Sequence, residues 1–561
     1  MSSLAKMNPI EQRSTISSPV KRVLLWLPPL IFLVGFFFVP LTRILSLGLG
    51  GNAWTEGSLE HVPLVFGFTI YQATLSTVLT FLLGIPAAIL FARYEFRGKA
   101  WLRALTAVPF MLPTVVVAAA YHSMLGSRGW IHLFFPILDF QFIGTLGAIL
   151  VTHVFYNTTI VIRIVGAALA RLDPAMEHAA RSLGANSTRV WMHLLFPLLH
   201  PSMLAASLLV FLFDFTSFGV ILLLGGMQFS TLEVEIYLRV LRIPDLPLAS
   251  LLSIIQLGCT LLISLAYTRA LSFTRVQSAP RFTNSDHPRT RPERAFAYSM
   301  VVLLAIFFLL PLVSLPIRSV SRLEADRGDR AVVQSGITFE YYRELFNNRR
   351  GSLFHVPPFR AVFNSLGFAG ITVCLSLGLG FPVAHALSNP SRLERFLDPL
   401  VLLPLGASAV MLGLGLILTF GRALLSPLFV PIAHTLVTLP FVIRVLQPAI
   451  NSIPQRLRQA AAVLGASPWR VWWTVDWPIL GRATLAAATF AFTVSLGEFG
   501  ATLLLYRPEF PTLPVAIEGY LSQPGGLNYG QSMAMSTILM VLTLVCILTI
   551  ERIRLPGSDF S

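Results

Sequence analysis

Two carboxylates interrupt long apolar stretches of this chain. Asp214 lies in Phe213-Asp-Phe-Thr-Ser-Phe-Gly219, and Glu498 lies in Ser495-Leu-Gly-Glu-Phe-Gly500. A charge at the centre of a bilayer costs about 3 kcal/mol on insertion scales, so each acid should face protein or a watery path. Two such acids would suit a cationic solute. The alternative is an acid that is solvated near a helix end or paired inside a helix bundle.

Three hydroxyl side chains accompany these acids: Thr216, Ser217 and Ser495. They are weaker candidates for a pathway, because helical serines and threonines often bond back to a carbonyl of their own helix.

Other reactive groups are isolated in the sequence. His122, His153 and His200 have no carboxylate or cysteine close by along the chain, so no metal site is predicted. The three cysteines lie far apart in apolar runs, which is typical of buried small side chains. The chain contains no Gly-x-x-x-x-Gly-Lys-Ser/Thr motif and no paired nucleophile and base. We therefore predict a protein that is not an enzyme and binds no cofactor of its own.

Composition predicts an all-α membrane protein. Of 561 residues, 55% are hydrophobic and only 12% are charged, about half the charge of an ordinary soluble protein. Apolar stretches long enough to cross a bilayer as helices recur along the chain. We predict twelve spans, and expect the two longest to contain kinks: 23–47, 64–92, 104–125, 143–168, 194–225, 247–271, 296–316, 361–387, 398–420, 428–450, 475–506 and 530–551.

The net charge of +15 does not indicate nucleic-acid binding, because the Lys and Arg residues cluster in every second short loop between the spans. The positive-inside bias places these loops and both termini in the cytoplasm. A polar segment at 273–295 with three prolines separates the two sets of spans. It predicts a cytoplasmic linker between a first half at 1–272 and a second half at 296–561.

The two halves contain the same segment, 281 residues apart. Residues 176–236 align without a gap to 457–517, with 24 of 61 pairs identical, which indicates duplication of a structural unit. In this alignment Asp214 pairs with Ser495, and Glu498 pairs with Ser217.

Each copy begins with a pattern that predicts a helix, a glycine corner and a second helix, at 173–191 and at 454–472. Ala179 and Ala180 share one face of the first helix, as do Ala460 and Ala461 in the second copy. Gly184 and Gly465 provide the left-handed residue that ends each helix. The shallow alanine face favours docking of a soluble partner. The alternative is a helix lying on lipid headgroups.

These residues resemble the cytoplasmic coupling loop of ABC-transporter permeases, whose pattern is Glu-Ala-Ala, then a glycine, then a proline. The matching positions are Ala179, Ala180, Gly184 and Pro197 in the first copy, and Ala460, Ala461, Gly465 and Pro478 in the second. The acidic position differs, because His178 and Gln459 occupy it. Glu177 stands one residue earlier in the first copy, where the second copy has Arg458.

The whole chain is similar to fused permeases that import ferric iron or thiamine in bacteria. Leu83-Gly-Ile-Pro86 and Leu379-Gly-Phe-Pro382 contribute to this resemblance, as does Val108-Pro-Phe-Met-Leu-Pro113. It implies type I importer architecture in the bacterial inner membrane. It also implies that the fifth span of each half lines the pathway, so Asp214, Thr216, Ser217, Ser495 and Glu498 are its predicted lining.

The resemblance further implies the partners. Two ATPase subunits would dock on 173–191 and 454–472 and hydrolyse ATP, and an external solute-binding protein would deliver solute to 226–246 and 507–528. Ferric iron and thiamine are equal expectations for the solute, with a polyamine as a third. The competing class is a twelve-helix secondary transporter driven by an ion gradient. It would explain the internal duplication but not two matched alanine-faced cytoplasmic helices.

Overall fold

The computed structural model describes residues 19–131, 141–226, 228–274, 287–322, 336–347, 354–388, 390–421 and 426–553. Within these ranges the regular structure is helical, and an isolated β-bridge joins Ser321 to Ile337. The all-α prediction is confirmed. Residues 275–286 of the predicted linker lie outside the described residues.

The helices of the first half, with their bounds, are α1 (Pro19–Leu33), α2 (Val39–Gly48), α3 (Glu56–Arg93), α4 (Lys99–Met111), α5 (Thr114–Leu125), α6 (Leu146–Ala170), α7 (Pro174–Ser182), α8 (Ser187–Val190), α9 (Phe196–Phe215), α10 (Leu232–Leu241) and α11 (Leu246–Thr274).

The helices of the second half are α12 (Arg291–Ser319), α13 (Glu340–Glu344), α14 (Arg360–Ser388), α15 (Arg392–Leu402), α16 (Ala409–Phe420), α17 (Phe429–Asn451), α18 (Gln455–Val463), α19 (Pro468–Val471), α20 (Trp477–Gly497), α21 (Gly500–Leu505), α22 (Leu513–Leu521) and α23 (Gly526–Ile553).

Ten helices in the described ranges are long and apolar enough to span a bilayer, or twelve when two bent pairs each count as one. The bent pairs correct the prediction of single spans at 104–125 and 398–420. Helices α4 and α5 meet at 110°, and α15 meets α16 at 99°. Prolines contribute to both breaks, because Pro113 and Pro404 supply no backbone N–H to a helix.

Hydroxyl groups stabilise the backbone exposed at these breaks. The Tyr156 hydroxyl donates to the Pro113 carbonyl at 3.1 Å, and the Thr260 hydroxyl donates to the Gly406 carbonyl at 2.6 Å. A buried carbonyl without such a partner would be costly. The bends are therefore fixed parts of the fold.

The fifth span of each half is interrupted near its outer end, as the sequence predicts. Helix α9 ends at Phe215, and a short π-helical turn follows at Ile221–Gly225. Helix α20 ends at Gly497 and α21 restarts at Gly500. The Glu498 carboxylate accepts the free backbone N–H groups of Ala501 and Thr502 at 2.9 and 3.0 Å, which stabilises the restart.

The first spans are exchanged between the halves. Helices α1 and α2 pack against α14 and α16 of the second half, while α12 packs against α4 and α5 of the first. Trp26, Leu33 and Phe37 are buried in the same core cluster as Val383 and Leu436. The two sequence halves therefore interlock in space.

Candidate functional site

The glycine corners have the predicted geometry. Gly184 has a φ of +87° and Gly465 has a φ of +79°. At the first corner the N–H of Ala185 donates to the Ala180 carbonyl at 3.0 Å, and the same bond joins Ala466 to Ala461 at 3.0 Å. This pattern ends a helix with a left-handed residue. Both corners are thus confirmed as matched helix ends.

Side-chain caps begin three of the four helices beside the corners, and only α18, which follows Pro454, has none. The Asp173 carboxylate accepts the N–H of Ala175 at 2.8 Å, and Asn186 accepts the N–H of Arg189 at 2.9 Å. Ser467 caps α19 in the same way, with Pro468 at its first position. These caps satisfy backbone donors that the helices leave free.

The corners project from the rest of the chain. Neither α7 nor α18 contains a buried residue, and Leu183 and Leu464 are 89% and 87% exposed. His178 and Gln459, which stand at the acidic position of the loop pattern, are also exposed. Large apolar side chains displayed this way on a short helix mark a contact surface.

An ion pair anchors each corner to the rest of the chain. The corner supplies the acid in the first half and the base in the second. In the first half Glu177 receives a two-pronged contact from the Arg93 guanidinium, which also lies 5.4 Å from the centre of the Trp191 ring. In the second half Arg458 Nε donates to Asp476 at 2.7 Å. Glu177 therefore links its corner to the end of α3, whereas Arg458 links its corner to the fifth span.

Each corner continues directly into the fifth span of its half. Helix α8 passes through a π-helical turn into α9, giving one span at Ser187–Phe215, and the second half repeats this at Pro468–Gly497. Pro197 and Pro478 come directly after the π-helical turn of each half, where their missing N–H leaves one backbone hydrogen bond of the continuous helix unmade. Each corner is therefore joined to the fifth span of its half by one continuous helix.

At the far end of α9, both halves enclose a cavity of about 450 Å³. Both helix breaks border it, the first through Leu112 and Thr114 and the second through Gly406 and Ser408. Its aromatic lining consists of Phe110, Tyr156, Phe213, Phe218 and Phe499. Its polar lining includes Thr114, His153, Asn157, Asp214, Thr216, Ser217, Glu233, Thr260 and Ser408. In the described part of the chain no Lys or Arg lines it.

Two fully buried acids lie in the cavity wall. Asp214 Oδ1 accepts from the Asn157 amide at 2.7 Å, and one oxygen of Glu233 accepts from the Gln256 amide. Their second oxygens make no hydrogen bond to any described residue. A hydroxyl lies beside each acid, that of Ser76 beside Asp214 and that of Ser408 beside Glu233. Each acid thus keeps one oxygen available.

Burial raises the pKa of Glu233, which lies on α10 outside the spanning helices, to about 8, although Gln256 and Ser408 act in the opposite direction. A carboxyl removed from water favours its neutral form. A positive charge arriving beside Glu233 would restore the ionised form.

A histidine bridges each fifth span to the fourth span of its half. His153 Nε2 lies 2.9 Å from Ser217, and its Nδ1 lies 3.4 Å from Asp214. The second half repeats this with His434, whose Nδ1 lies 2.7 Å from Ser495 and whose Nε2 lies 3.1 Å from Glu498. The acid and the serine have exchanged sides of the imidazole.

The histidine interpretation from sequence was incomplete. His153 has no carboxylate nearby along the chain, yet the fold brings it to Asp214, 61 positions away. The signal that could have found this pair is the offset of 281, which relates His153 to His434.

Comparison with known proteins bears on what this arrangement does. Residues 82–275 and 376–554 match the family described as binding-protein-dependent transport system inner membrane component. The chain belongs to this family. Both matches begin within the second span of a half, so they include both corners and the cavity wall and exclude the exchanged first spans.

Relatives of the permease extend along nearly its full length. The thiamine transport system permease protein ThiP of Brucella abortus is 28% identical over 521 residues, covering 91% of each chain. ThiP of Haemophilus influenzae is 26% identical over 503 residues, covering 86% of the permease and 88% of that protein. A protein of Sinorhizobium fredii named as a probable ABC transporter permease is 27% identical over 581 residues, covering 97% and 99%.

The structure divides the residues predicted to line a pathway. Asp214, Thr216 and Ser217 line the cavity, whereas Ser495 and Glu498 are buried behind it against His434. The Thr216 hydroxyl bonds back to the Leu212 carbonyl at 2.9 Å.

Sequence reasoning did not single out Glu233, Asn157 or His153 as lining residues. Glu233 stands in the segment 226–246, which the resemblance places outside the membrane, and its acidic type within an apolar helix is the signal that points to it.

Proposed function

We propose that this permease imports thiamine across the inner membrane, using ATP hydrolysed by separate subunits. The observation that carries the proposal is a cavity between the halves with two buried acids, five aromatic side chains and, in its described lining, no basic residue other than His153. Thiamine combines a positive charge with flat aromatic rings. Carboxylates bind the charge, and aromatic faces attract a cation and stack on rings.

The size of the cavity supports an organic solute. Ligand pockets commonly range from about 300 to 1,000 Å³, and this cavity measures about 450 Å³. No three His, Cys, Asp or Glu side chains in the described ranges lie together as a metal site would need. The aromatic lining also favours a ringed cation over a polyamine. Two of the relatives described above are named as thiamine permeases.

In this proposal an ATPase subunit docks on each corner, around 173–191 and 454–472, and a solute-binding protein delivers thiamine from outside. Closing of the ATPase pair moves both corners, and the continuous fifth spans transmit that motion to the cavity wall. The ATPases thereby bias a helix bundle between two states of access. The distribution of Lys and Arg among the loops supports a cytoplasmic location for the corners and both termini.

The test is uptake of radiolabelled thiamine by cells of the source organism that lack this gene, carry it again, or carry the Asp214→Asn variant. Restored uptake that competes with unlabelled thiamine, but not with ferric iron or spermidine, supports the proposal. Equal uptake with and without the gene contradicts it. Uptake that persists without ATP while the ion gradient is kept indicates the secondary transporter instead.

A further inference from the structure

We propose that Glu233 and Asp214 together form a one-sided subsite for the positive charge of the solute, with Glu233 as a specificity-determining residue. This inference rests on the proposed function for the identity of the solute, and on the cavity itself for its charge. It assigns a binding role to a helix outside the spans, α10.

Several contacts hold Glu233 at the cavity. The backbone N–H of Leu232 donates to the Thr69 hydroxyl at 3.0 Å, which fixes the first turn of α10. The Gln256 amide then binds one carboxylate oxygen of Glu233. The side chain is 1% exposed, and its other oxygen has no hydrogen bond to a described residue. A buried acid held this way is positioned to bind one further donor or cation.

Asp214 repeats this arrangement from another helix. Asn157 holds one oxygen, with His153 behind it, and the second oxygen is again without a hydrogen bond to the described residues. Both acids belong to the wall of the same cavity. Leaving two buried acceptors unsatisfied costs free energy, and a bound cation would recover it.

The second half does not supply equivalent acids. At the repeat offset of 281, Asp214 corresponds to Ser495 and Glu233 corresponds to Pro514. The surrounding framework is preserved, since the Leu513 N–H donates to the Ser365 hydroxyl at 2.8 Å as Leu232 does to Thr69. Among the described residues, the acids of the cavity wall therefore come from the first half.

Aromatic rings mark the boundary between the halves. Phe218 and Phe499 occupy equivalent positions of the repeat, and their ring centres lie 5.5 Å apart. Because both acids belong to the first half, a solute that is charged at one end binds in one orientation. Its charge faces Glu233 and Asp214, and its uncharged ring faces the second half.

The test measures charge discrimination by the purified full-length permease in lipid nanodiscs, without a binding protein. The probes are thiamine, an N-methylthiazolium cation and a neutral thiazole that carries the methyl group on carbon instead of nitrogen. We expect the cation to bind at least about tenfold more tightly than the neutral thiazole, the effect of a hydrogen bond to a charged group. The Glu233→Gln variant should reduce this ratio to about threefold or less, and Glu233→Asp should restore part of it.

The matched control is Glu235→Gln. Glu235 lies on the same helix and is buried, but it binds Arg239 at 2.7 Å and Ser230 at 2.8 Å and does not line the cavity. Its substitution should leave the ratio within twofold of wild type. Elution and melting temperature report whether each variant folds.

Equal binding of the cation and the neutral thiazole by wild type overturns the subsite, as does a ratio that Glu233→Gln leaves unchanged. If cells import no thiamine through the permease but the ratio depends on Glu233, the subsite stands and the proposed solute is wrong. Loss of discrimination in both Glu233→Gln and Glu235→Gln also contradicts the subsite, because a local charge effect cannot explain it.

Discussion

Replacing both corner glycines by valine tests the coupling role of the corners. Gly184 and Gly465 have φ values of +87° and +79°, and a Cβ at either would meet no atom within 4 Å. The cost is therefore backbone strain alone. A left-handed conformation costs an L-residue about 1–2 kcal/mol, and a β-branched residue is an outlier there.

This strain should change the corner and spare the fold. Helices α7 and α18 contain no buried residue, so the chain can relieve the strain by giving up the hydrogen bonds of Ala185 and Ala466. If the strain of about 2 kcal/mol is present only in the corner conformation that binds the ATPase, it weakens the docking of each ATPase about 30-fold. Each corner contributes its own loss.

The assay compares ATPase co-purification, ATPase stimulation and thiamine uptake in wild type and in Gly184→Val with Gly465→Val. Gly98→Val is the matched control, because Gly98 has a φ of +84°, equally open space and a place in a different loop. We expect the double variant to lose co-purification and uptake at normal membrane levels, and the control to keep both.

Normal uptake and normal ATPase stimulation in the double variant would refute this account of the corners. An equal loss in Gly98→Val would show that left-handed strain anywhere in these loops impairs the permease, which removes the special role of the corners.

Three further predictions concern an anchor, proton binding and the packing of the halves. Arg93→Glu should weaken ATPase co-purification by breaking its pair with Glu177, and adding Glu177→Arg should recover it by restoring opposite charges. Since the pKa of Glu233 is raised to about 8, thiamine should bind more tightly as pH rises from 6 to 8 and change little above that. The gain should approach tenfold per pH unit at most, and Glu233→Gln should flatten the profile while His153 and Asp214 remain. Gly500→Val should lower the melting temperature, because its Cβ would lie 3.1 Å from Val410 across the packed interior.

The corners could be predicted from sequence because every contact that forms them is local. In each copy an alanine pair and a glycine mark the first helix and its end, and Asn186 or Ser467 two residues later caps the second helix. Span length is equally local, since a bilayer requires about 20 apolar residues in a row. Because the segment is duplicated, each pattern occurs twice in the sequence, which strengthens the prediction.

The cavity could not be predicted in the same way, because its wall is assembled from distant segments. Glu233 reaches it only because α10 folds back against the bundle, and Gln256, which holds it, lies 23 positions further along. The hydropathy pattern predicts the third span of each half as one helix. In the structure each third span is broken, and the breaks bring Leu112 and Ser408 to the cavity. The exchange of first spans likewise depends on packing between halves, which no local pattern reports.

The two halves carry their fifth-span acid at different positions of the repeat, Asp214 in the first and Glu498 in the second. This difference explains why a duplicated framework has cavity acids in only one half. Each half keeps a buried histidine between two positions of its fifth span. In the first half Asp214 and Ser217 both border the cavity, and the acid is Asp214. In the second half the acid stands at the equivalent of Ser217, where Glu498 caps α21 and binds His434, and it does not line the cavity. A carboxylate that completes a helix end is not free to bind a solute, so the second half contributes structure where the first contributes charge. If this division is correct, solute affinity should depend on the acids of the first half, whereas Glu498→Gln should lower stability before it changes discrimination between charged and neutral solutes.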